Sequence, residues 1–254
     1  MKRHVTLSAL AVAFLLPLSL LGNEKTKPSR ADDLDKKVVD IVKKTGDLYK
    51  DAKSLHVEGT IVSKADDADK ETKVSAIYDV AKPNQLALST KVDGDANKGP
   101  NVVADGKNLY VYAKGNKQYM EKEQPGTLGE VGLSLLGLRP AFAGMLFANI
   151  LGDDPADLLM QGVTNCSYVG MEKVDGTPVH RMKFSQPEFD WELWVAAEGK
   201  PYVLRMISTS MGVKVTETYK NWKLNEAPAK ELFTFKAPEG VTKVENFGEP
   251  ANDK

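Results

Sequence analysis

The strongest constraint on this chain is a set of short runs in which apolar and polar residues alternate, each separated from the next by a tight turn. Leu55, Val57 and Ile61 share one phase of such a run. His56 and Glu58 share the other phase, which is the pattern of a strand with one buried face. Similar runs follow at 72–80, 85–91, 101–104, 108–113, 117–121, 162–172, 177–185, 188–197, 201–209 and 212–223. The connections are mostly too short for parallel crossovers, which need a dozen or more residues, so neighbouring runs are expected to pair antiparallel.

These runs predict one continuous, mainly antiparallel sheet of roughly ten or eleven strands. An open sheet of that size has to twist and curl, so it has a concave side that apolar groups must fill. Helical segments precede and interrupt the strands, which places the chain in the α+β class. The single cysteine, Cys166, cannot form an internal disulfide, so stability has to come from an apolar core.

The N-terminal segment has the features of an export signal. Lys2 and Arg3 are followed by an uncharged run at residues 5–21 and then by polar Asn23. A basic start before so short an apolar run is typical of a secretion signal, but the run also matches the shortest membrane-spanning helices. We therefore predict a periplasmic or secreted protein, with cleavage of the signal or its retention as a membrane anchor left open.

An amphipathic helix follows the signal. Val38, Val42 and Thr45 recur at helical spacing with Lys and Asp between them, so one face of this helix is expected to be buried. Asp33 is placed to cap its first turn. The predicted organisation is a signal peptide at 1–22, a flexible tether at 23–32, a single domain at 33–245 and a polar tail at 246–254.

The alternation stops in the middle of the chain. Within residues 127–152 only Glu130 and Arg139 are charged, yet Gly and Pro interrupt the segment too often for one helix that crosses a bilayer. We predict two short helices here, the second opening at Pro140, and a third starting at Pro155.

Glycine is frequent in the apolar segment 126–160, and its other residues are aliphatic and rich in Met. Glycine costs roughly 1 kcal/mol inside a helix, which indicates an element that is either movable or closely packed. Adaptable aliphatic and Met side chains suit variable apolar partners. Two interpretations therefore stay open, a movable lid over a ligand and a fixed plug.

The run around residue 191 is the most aromatic of the chain. Trp191 and Leu193 share the phase expected to face the core, whereas Trp194 lies on the opposite phase with two acidic residues. Together with the apolar middle segment, this strand predicts an apolar site between the sheet and the helices. The candidate ligand-binding residues are Leu133, Leu136, Phe142, Met145, Leu146, Ile150, Trp191 and Leu193.

Patterns that would support catalysis, metal binding or nucleic-acid binding are weak. The net charge of −1 provides no basic excess for nucleic acid. His56 and His180 lie on separate strands, and Ser134 lies in a near match to G-x-S-x-G with the second Gly one place late. Residues 93–99 imitate the start of a calcium loop but carry Lys98 where that loop needs Gly. We therefore predict a protein that is not an enzyme, with no catalytic residue, cofactor, metal site or nucleic-acid partner.

Several phrases along the chain carry a family resemblance. They are Lys82-Pro83-Asn84-Gln85-Leu86, Asp105-Gly106-Lys107-Asn108-Leu109-Tyr110, Tyr168-Val169-Gly170 with Val174-Asp175-Gly176, Phe189-Asp190-Trp191-Glu192-Leu193-Trp194 and Leu232-Phe233-Thr234-Phe235-Lys236-Ala237-Pro238-Glu239-Gly240. With these phrases the chain resembles a family of predicted periplasmic proteins of unknown function, related to the outer-membrane lipoprotein carriers of the LolA/LolB type. The resemblance covers residues 34–245, and the Asp-Trp-x-Leu-Trp phrase is its most specific part.

The resemblance implies an unclosed half-barrel sheet of about 11 strands, with an N-terminal helix and inserted helices that cover its concave face. The carriers hold lipoprotein acyl chains in the cavity between, which implies a monomeric binding protein with a lipid or lipidated protein as its partner. Arg139 and Arg205 are candidates for the carriers' lid-latching arginine by residue type only. The alternative is an envelope protein-interaction or sensor domain with a protein partner and a permanently packed cavity.

Overall fold

The computed structural model describes residues 34–138, 145–187 and 189–247. Its α-helices are α1 (Lys36–Asp51), α2 (Leu128–Leu138), α3 (Met145–Ile150) and α4 (Pro155–Met160). The strands are β1 (Ser54–Ala65), β2 (Thr72–Ala81), β3 (Gln85–Val92), β4 (Asn101–Ala104), β5 (Asn108–Ala113), β6 (Gln118–Glu123), β7 (Asn165–Val174), β8 (Thr177–Ser185), β9 (Asp190–Ala196), β10 (Val203–Ser210), β11 (Val213–Leu224) and β12 (Thr242–Lys243). All twelve strands belong to one sheet in the order β12-β6-β5-β4-β3-β2-β1-β11-β10-β9-β8-β7.

Two antiparallel meanders build this sheet. Strands β1 to β6 pair in sequence, strands β7 to β11 pair in sequence, and β1 pairs with β11 to join the two sets. The predicted open, curved and mainly antiparallel sheet is therefore confirmed. Its turns also follow the sequence: Met211 and Gly212 have φ of 49° and 73°, the positive values that a two-residue type I′ hairpin turn requires.

The period of two along each strand separates a buried concave face from a more exposed convex face. On β1, Leu55 and Val57 are buried, while His56 and Glu58 retain partial exposure. The buried phase continues across the sheet and joins the inward side chains of the helices in one apolar cluster. Because this cluster fills the hollow of the sheet, it is the core of the domain.

Helix α1 begins two residues later than the sequence predicted. Asp35, and not Asp33, is the N-cap, and its Oδ1 accepts a hydrogen bond from the Lys37 amide at 2.8 Å. Val38 and Tyr49 are buried on one side of the helix, which confirms the predicted amphipathic face. The misplaced cap reflects the three aspartates just before the helix, Asp32, Asp33 and Asp35, each of which is a good capping residue.

The four helices form a layer over the concave face, which we call the helical cover. Glycine allows its helices to approach closely: a Cβ added at Gly46 of α1 would lie 2.5 Å from the Ala156 backbone nitrogen of α4. In the same way, a Cβ added at Gly132 of α2 would lie 3.1 Å from the Cα of Ala148 in α3. Gly46 and Gly132 are therefore sites of close helix packing within the helical cover.

One of the two helix starts predicted in segment 126–160 is confirmed. α4 begins at Pro155, as predicted, with Asp154 as its N-cap. The helix predicted to open at Pro140 corresponds to α3, which begins at Met145; residues 139–144 lie outside the described part of the chain.

The C-terminal segment, residues 230–247, wraps around the β6 edge of the sheet. The ring of Phe235 stacks on Tyr110 with centroids 4.9 Å apart, on the face opposite the core. The chain then adds β12 beside β6 in parallel and buries Val244 in the core cluster. The sequence did not predict this added strand, because two residues are too few to express a period.

Candidate functional site

The interface between the helical cover and the concave face is largely apolar. Leu146, Phe147 and Ile150 of α3 are buried in the core cluster. The Phe147 ring meets the Tyr78 ring of β2, with centroids 3.8 Å apart and planes inclined by 31°. Side chains of this kind have no reactive group, so the interface is suited to excluding water and holding apolar atoms.

Strand β9 supplies the aromatic part of the concave face. Trp191 and Leu193 are buried in the core cluster, on the face that the alternation predicted. The Trp191 indole stacks on Phe184 of β8 with centroids 3.8 Å apart and planes 7° apart. Trp191 is only 3% exposed, and its Nε1 has no hydrogen-bond partner within the described part of the chain.

The eight candidate residues are not all brought together. Leu146, Ile150, Trp191 and Leu193 lie in one buried cluster. Leu133 is 59% exposed on the outer side of α2, so it does not line the interface in this arrangement. The side chains of Leu136 and Met145, and the whole of Phe142, lie outside the described part of the structure. Whether any of these residues contacts a ligand stays a prediction.

Helix α1 is fixed to the sheet at both of its ends. At its start, Asp35 Oδ2 accepts a hydrogen bond from the Tyr168 amide of β7 at 3.0 Å. At its end, the Tyr49 hydroxyl accepts a hydrogen bond from the Val203 amide of β10 at 2.9 Å. Lys82 Nζ donates to the Tyr49 and Lys50 carbonyl oxygens, each at 2.9 Å, and its positive charge suits the helix C-terminus.

Glu217 is an interior charge that the sequence reasoning missed. It lies on β11 and is 1% exposed, and its Oε2 accepts a 2.6 Å hydrogen bond from the Tyr219 hydroxyl. The same oxygen accepts a longer bond of 3.4 Å from the Leu146 amide at the start of α3. Burial raises the pKa of Tyr219, and the adjacent Glu217 carboxylate raises it further. Glu217 thus joins the sheet to the helical cover. The sequence signal that could have revealed its burial is its spacing of two residues from Tyr219, which places both side chains on the same face of β11.

The convex face carries a separate cluster around Trp194. The indole Nε1 of Trp194 donates to Glu172 at 3.0 Å, and this bond, together with Arg181, lowers the pKa of the Glu172 carboxyl. Arg205 lies over the Trp194 ring at 5.9 Å, on the side of the sheet away from the cover. Arg205 is therefore wrong as a candidate latch for the cover, and Arg139 lies outside the described residues.

The residues considered for chemistry have structural roles. The Ser134 hydroxyl donates to the Val131 carbonyl at 2.7 Å, within its own helix. His180 Nδ1 lies 3.0 Å from the Tyr168 hydroxyl, and burial lowers the His180 pKa. Asp93 accepts a hydrogen bond from the Lys73 amide, which joins the end of β3 to the start of β2. Among the described residues, no group of three His, Cys, Asp or Glu side chains is placed to hold a metal ion.

The sequence matches a known family over most of its length. Residues 39–246 match the family described as "Predicted periplasmic protein (DUF2092)", and the chain belongs to that family. This confirms the predicted family resemblance and the predicted periplasmic localisation. No helix in the described ranges is long and apolar enough to cross a membrane. Comparison with curated protein sequences gave no match.

Solved structures with similar folds come from several bacteria. An uncharacterized conserved protein from Thermus thermophilus aligns over 82% of this chain and 99% of its own, with 12% identity and a TM-score of 0.49. LprF from Mycobacterium bovis aligns over 82% and 98%, with 14% identity and a TM-score of 0.44. A LolA superfamily protein from Nitrosomonas europaea aligns over 77% and 96%, with 14% identity and a TM-score of 0.38.

Proposed function

We propose that this protein is a non-catalytic periplasmic binding protein, which holds a lipid or a lipoprotein acyl chain between the concave face and the helical cover. The observation that carries the proposal is the unequal attachment of the cover. α1 is tied to the sheet by hydrogen bonds through Asp35, Tyr49 and Lys82. α2 and α3 meet the core largely through apolar side chains, which are Leu128, Val131, Leu135, Leu146, Phe147 and Ile150.

An acyl chain can lie between these side chains and the sheet. It is as apolar as they are, so the sheet and the displaced side chains both stay out of water only where they contact the chain. Each methylene group buried contributes roughly 0.8 kcal/mol before the costs of association are subtracted. Gly132 packs closely against Ala148, so α2 and α3 would be displaced together, and a ligand would select the displaced state.

The first test is whether the protein carries lipid from the cell. The full chain is isolated gently from the bacterial envelope, and bound molecules are extracted and identified by mass spectrometry. We expect acyl lipid in a near-stoichiometric amount. Protein that is empty and that also fails to take up an added fluorescent acyl probe would refute the proposal.

The second test locates the ligand by fluorescence quenching. Bromine quenches an indole that it touches, so a methyl stearate brominated along its chain should quench Trp191 on the concave face. Trp191→Phe should then lose most of the quenching. Trp194→Phe is the matched control, because Trp194 lies on the convex face beside Glu172 and its removal should leave the quenching in place.

The alternative is a domain that binds an envelope protein and keeps its interior packed. It predicts that crosslinking in intact cells captures one protein partner while extraction yields no lipid. Loss of quenching in both tryptophan variants alike would also count against an interior ligand, because it would place the probe on no particular face.

A further inference from the structure

The indole nitrogen of Trp191 is a buried donor without an acceptor. Trp191 is 3% exposed, and its Nε1 has no hydrogen-bond partner among the described residues. A buried polar group without a partner costs free energy of folding, and native proteins rarely keep one. Stacking on Phe184 at 3.8 Å fixes the ring and hence the direction of the N–H bond. The indole N–H is therefore available to an acceptor that does not come from the described residues.

Ser208 carries a second donor group, on the strand next to that of Trp191. It lies directly opposite Trp191 in the pairing of β9 with β10, and opposite residues in such a pair have Cβ atoms about 5 Å apart. Ser208 is 7% exposed, and within the described ranges its hydroxyl forms no side-chain hydrogen bond. Two neighbouring donors on the concave face can bind a single oxygen atom between them.

The charge around this pair favours an uncharged acceptor. The indole and the hydroxyl are both neutral groups. Glu217 lies on the adjacent strand, two positions beyond Val215, which is the residue paired with Ser208, so it is a diagonal neighbour at about 7–8 Å. A second carboxylate at that distance in an apolar interior would be repelled by Glu217. An ester carbonyl satisfies both donors without this repulsion.

The position of the pair also fits the end of an acyl chain. Trp191 is the second residue of β9, and Ser208 lies two residues before the end of β10. Both therefore lie near one end of the sheet, next to the loops that precede β9 and follow β10. From there the concave face of β9 continues through Leu193 and Val195, which are both buried, and offers an apolar path for the chain.

We propose that Trp191 Nε1 and Ser208 Oγ form a two-donor site for the ester carbonyl of an acyl ester. The acyl tail lies along Leu193 and Val195. This assignment rests on the proposed function and narrows its ligand class from hydrophobic molecules in general to esters of long-chain acids.

The test compares methyl oleate with a hydrocarbon of the same chain length and with free oleic acid at neutral pH. Methyl oleate should bind most tightly to the unaltered protein. Trp191→Phe keeps an aromatic ring at this position but removes the donor, and Ser208→Ala removes the hydroxyl. Each should weaken methyl oleate binding by about fivefold, the factor for one hydrogen bond, and leave hydrocarbon binding unchanged. Trp194→Phe should change neither affinity.

A spectroscopic signature separates hydrogen bonding from altered packing. The protein has three tryptophans, so ¹⁵N labelling gives three indole N–H signals. The signal lost in Trp191→Phe should move downfield when methyl oleate binds and stay in place with the hydrocarbon. A phospholipid and a diacylated lipopeptide, which share the acyl ester, then identify the source: whichever competes better with methyl oleate is the closer match.

The outcomes are distinct. If neither methyl oleate nor the hydrocarbon binds, the proposed function fails and this inference fails with it. If both bind but Trp191→Phe weakens them equally, or if free oleic acid binds more tightly than its ester, the binding function stands and the ester site is wrong.

Discussion

The Tyr49 hydroxyl accepts a 2.9 Å hydrogen bond from the Val203 amide, and this bond ties α1 to β10 inside the core. Tyr49→Phe removes the acceptor and leaves a buried amide unpaired, so the free energy of unfolding should fall by about 1–3 kcal/mol. Denaturant unfolding measures the change. Tyr202→Phe is the control, because the hydroxyl of this partly buried tyrosine forms no hydrogen bond within the described residues, and it should be nearly neutral.

Three buried tyrosines should make the protein unstable in alkali. Burial raises the pKa of Tyr49, Tyr78 and Tyr219. Below a pH of about 10 these tyrosines are protonated in both states and contribute no pH dependence. Above that pH the unfolded chain loses three protons that the folded protein keeps, so the free energy of unfolding falls by about 4 kcal/mol per pH unit.

Alkaline unfolding curves at several pH values give this slope directly. Tyr49→Phe removes one of the three buried phenol hydroxyls. The free energy of unfolding of this variant should therefore fall less steeply with pH, by about 1.4 kcal/mol per pH unit. An unchanged slope would mean that Tyr49 is not the buried protonated group that the structure describes.

Most of the sheet could be predicted from sequence because alternation and turn residues act locally. The run predicted at 101–104 coincides with β4 (Asn101–Ala104), and β9 (Asp190–Ala196) falls within its predicted run. β12 could not be predicted, since its pairing with β6 depends on where the C-terminal segment crosses the edge of the sheet. Distant contacts of this kind leave no period in the sequence.

The candidate site was less predictable than the fold. α2 is apolar on nearly all sides, so its residue pattern does not mark which face turns inward. For that reason the exposure of Leu133 could not be predicted from the sequence. Trp194 shows the converse: its phase placed it away from the core, yet it is buried on the convex face under Arg181 and Arg205. The sequence of one strand alone does not show that long side chains from neighbouring strands shield one of its residues from solvent.

Gly46→Ala tests whether close packing holds the cover together. Helix propensity alone predicts a gain of up to about 1 kcal/mol for this change in α1. However, the added Cβ would lie 2.5 Å from the Ala156 backbone nitrogen in α4, so the helices must separate. We expect a net loss of about 1–3 kcal/mol from overpacking in thermal or denaturant unfolding. Asp40→Ala, on the exposed side of α1, should give the small gain instead.

Glu217 is expected to control how readily α3 leaves the sheet. Its carboxylate accepts hydrogen bonds from the Tyr219 hydroxyl and from the Leu146 amide, and charge-assisted bonds of this kind are stronger than neutral ones. Glu217→Gln should therefore raise the amide hydrogen-exchange rate of α3 about tenfold, on the basis of roughly 1.5 kcal/mol for a bond to a charged group. The amides of α1, which Asp35 and Tyr49 hold independently, should exchange at the unaltered rate.

The matched control for this exchange experiment is Glu198→Gln, which makes the same change at an exposed position on the turn after β9. It should leave both helices unaffected. If α1 and α3 accelerated equally in Glu217→Gln, the carboxylate would be supporting the whole domain and not the separable part of the cover. Acceleration confined to α3 would instead identify the bond between β11 and α3 as the contact that an entering acyl chain has to break.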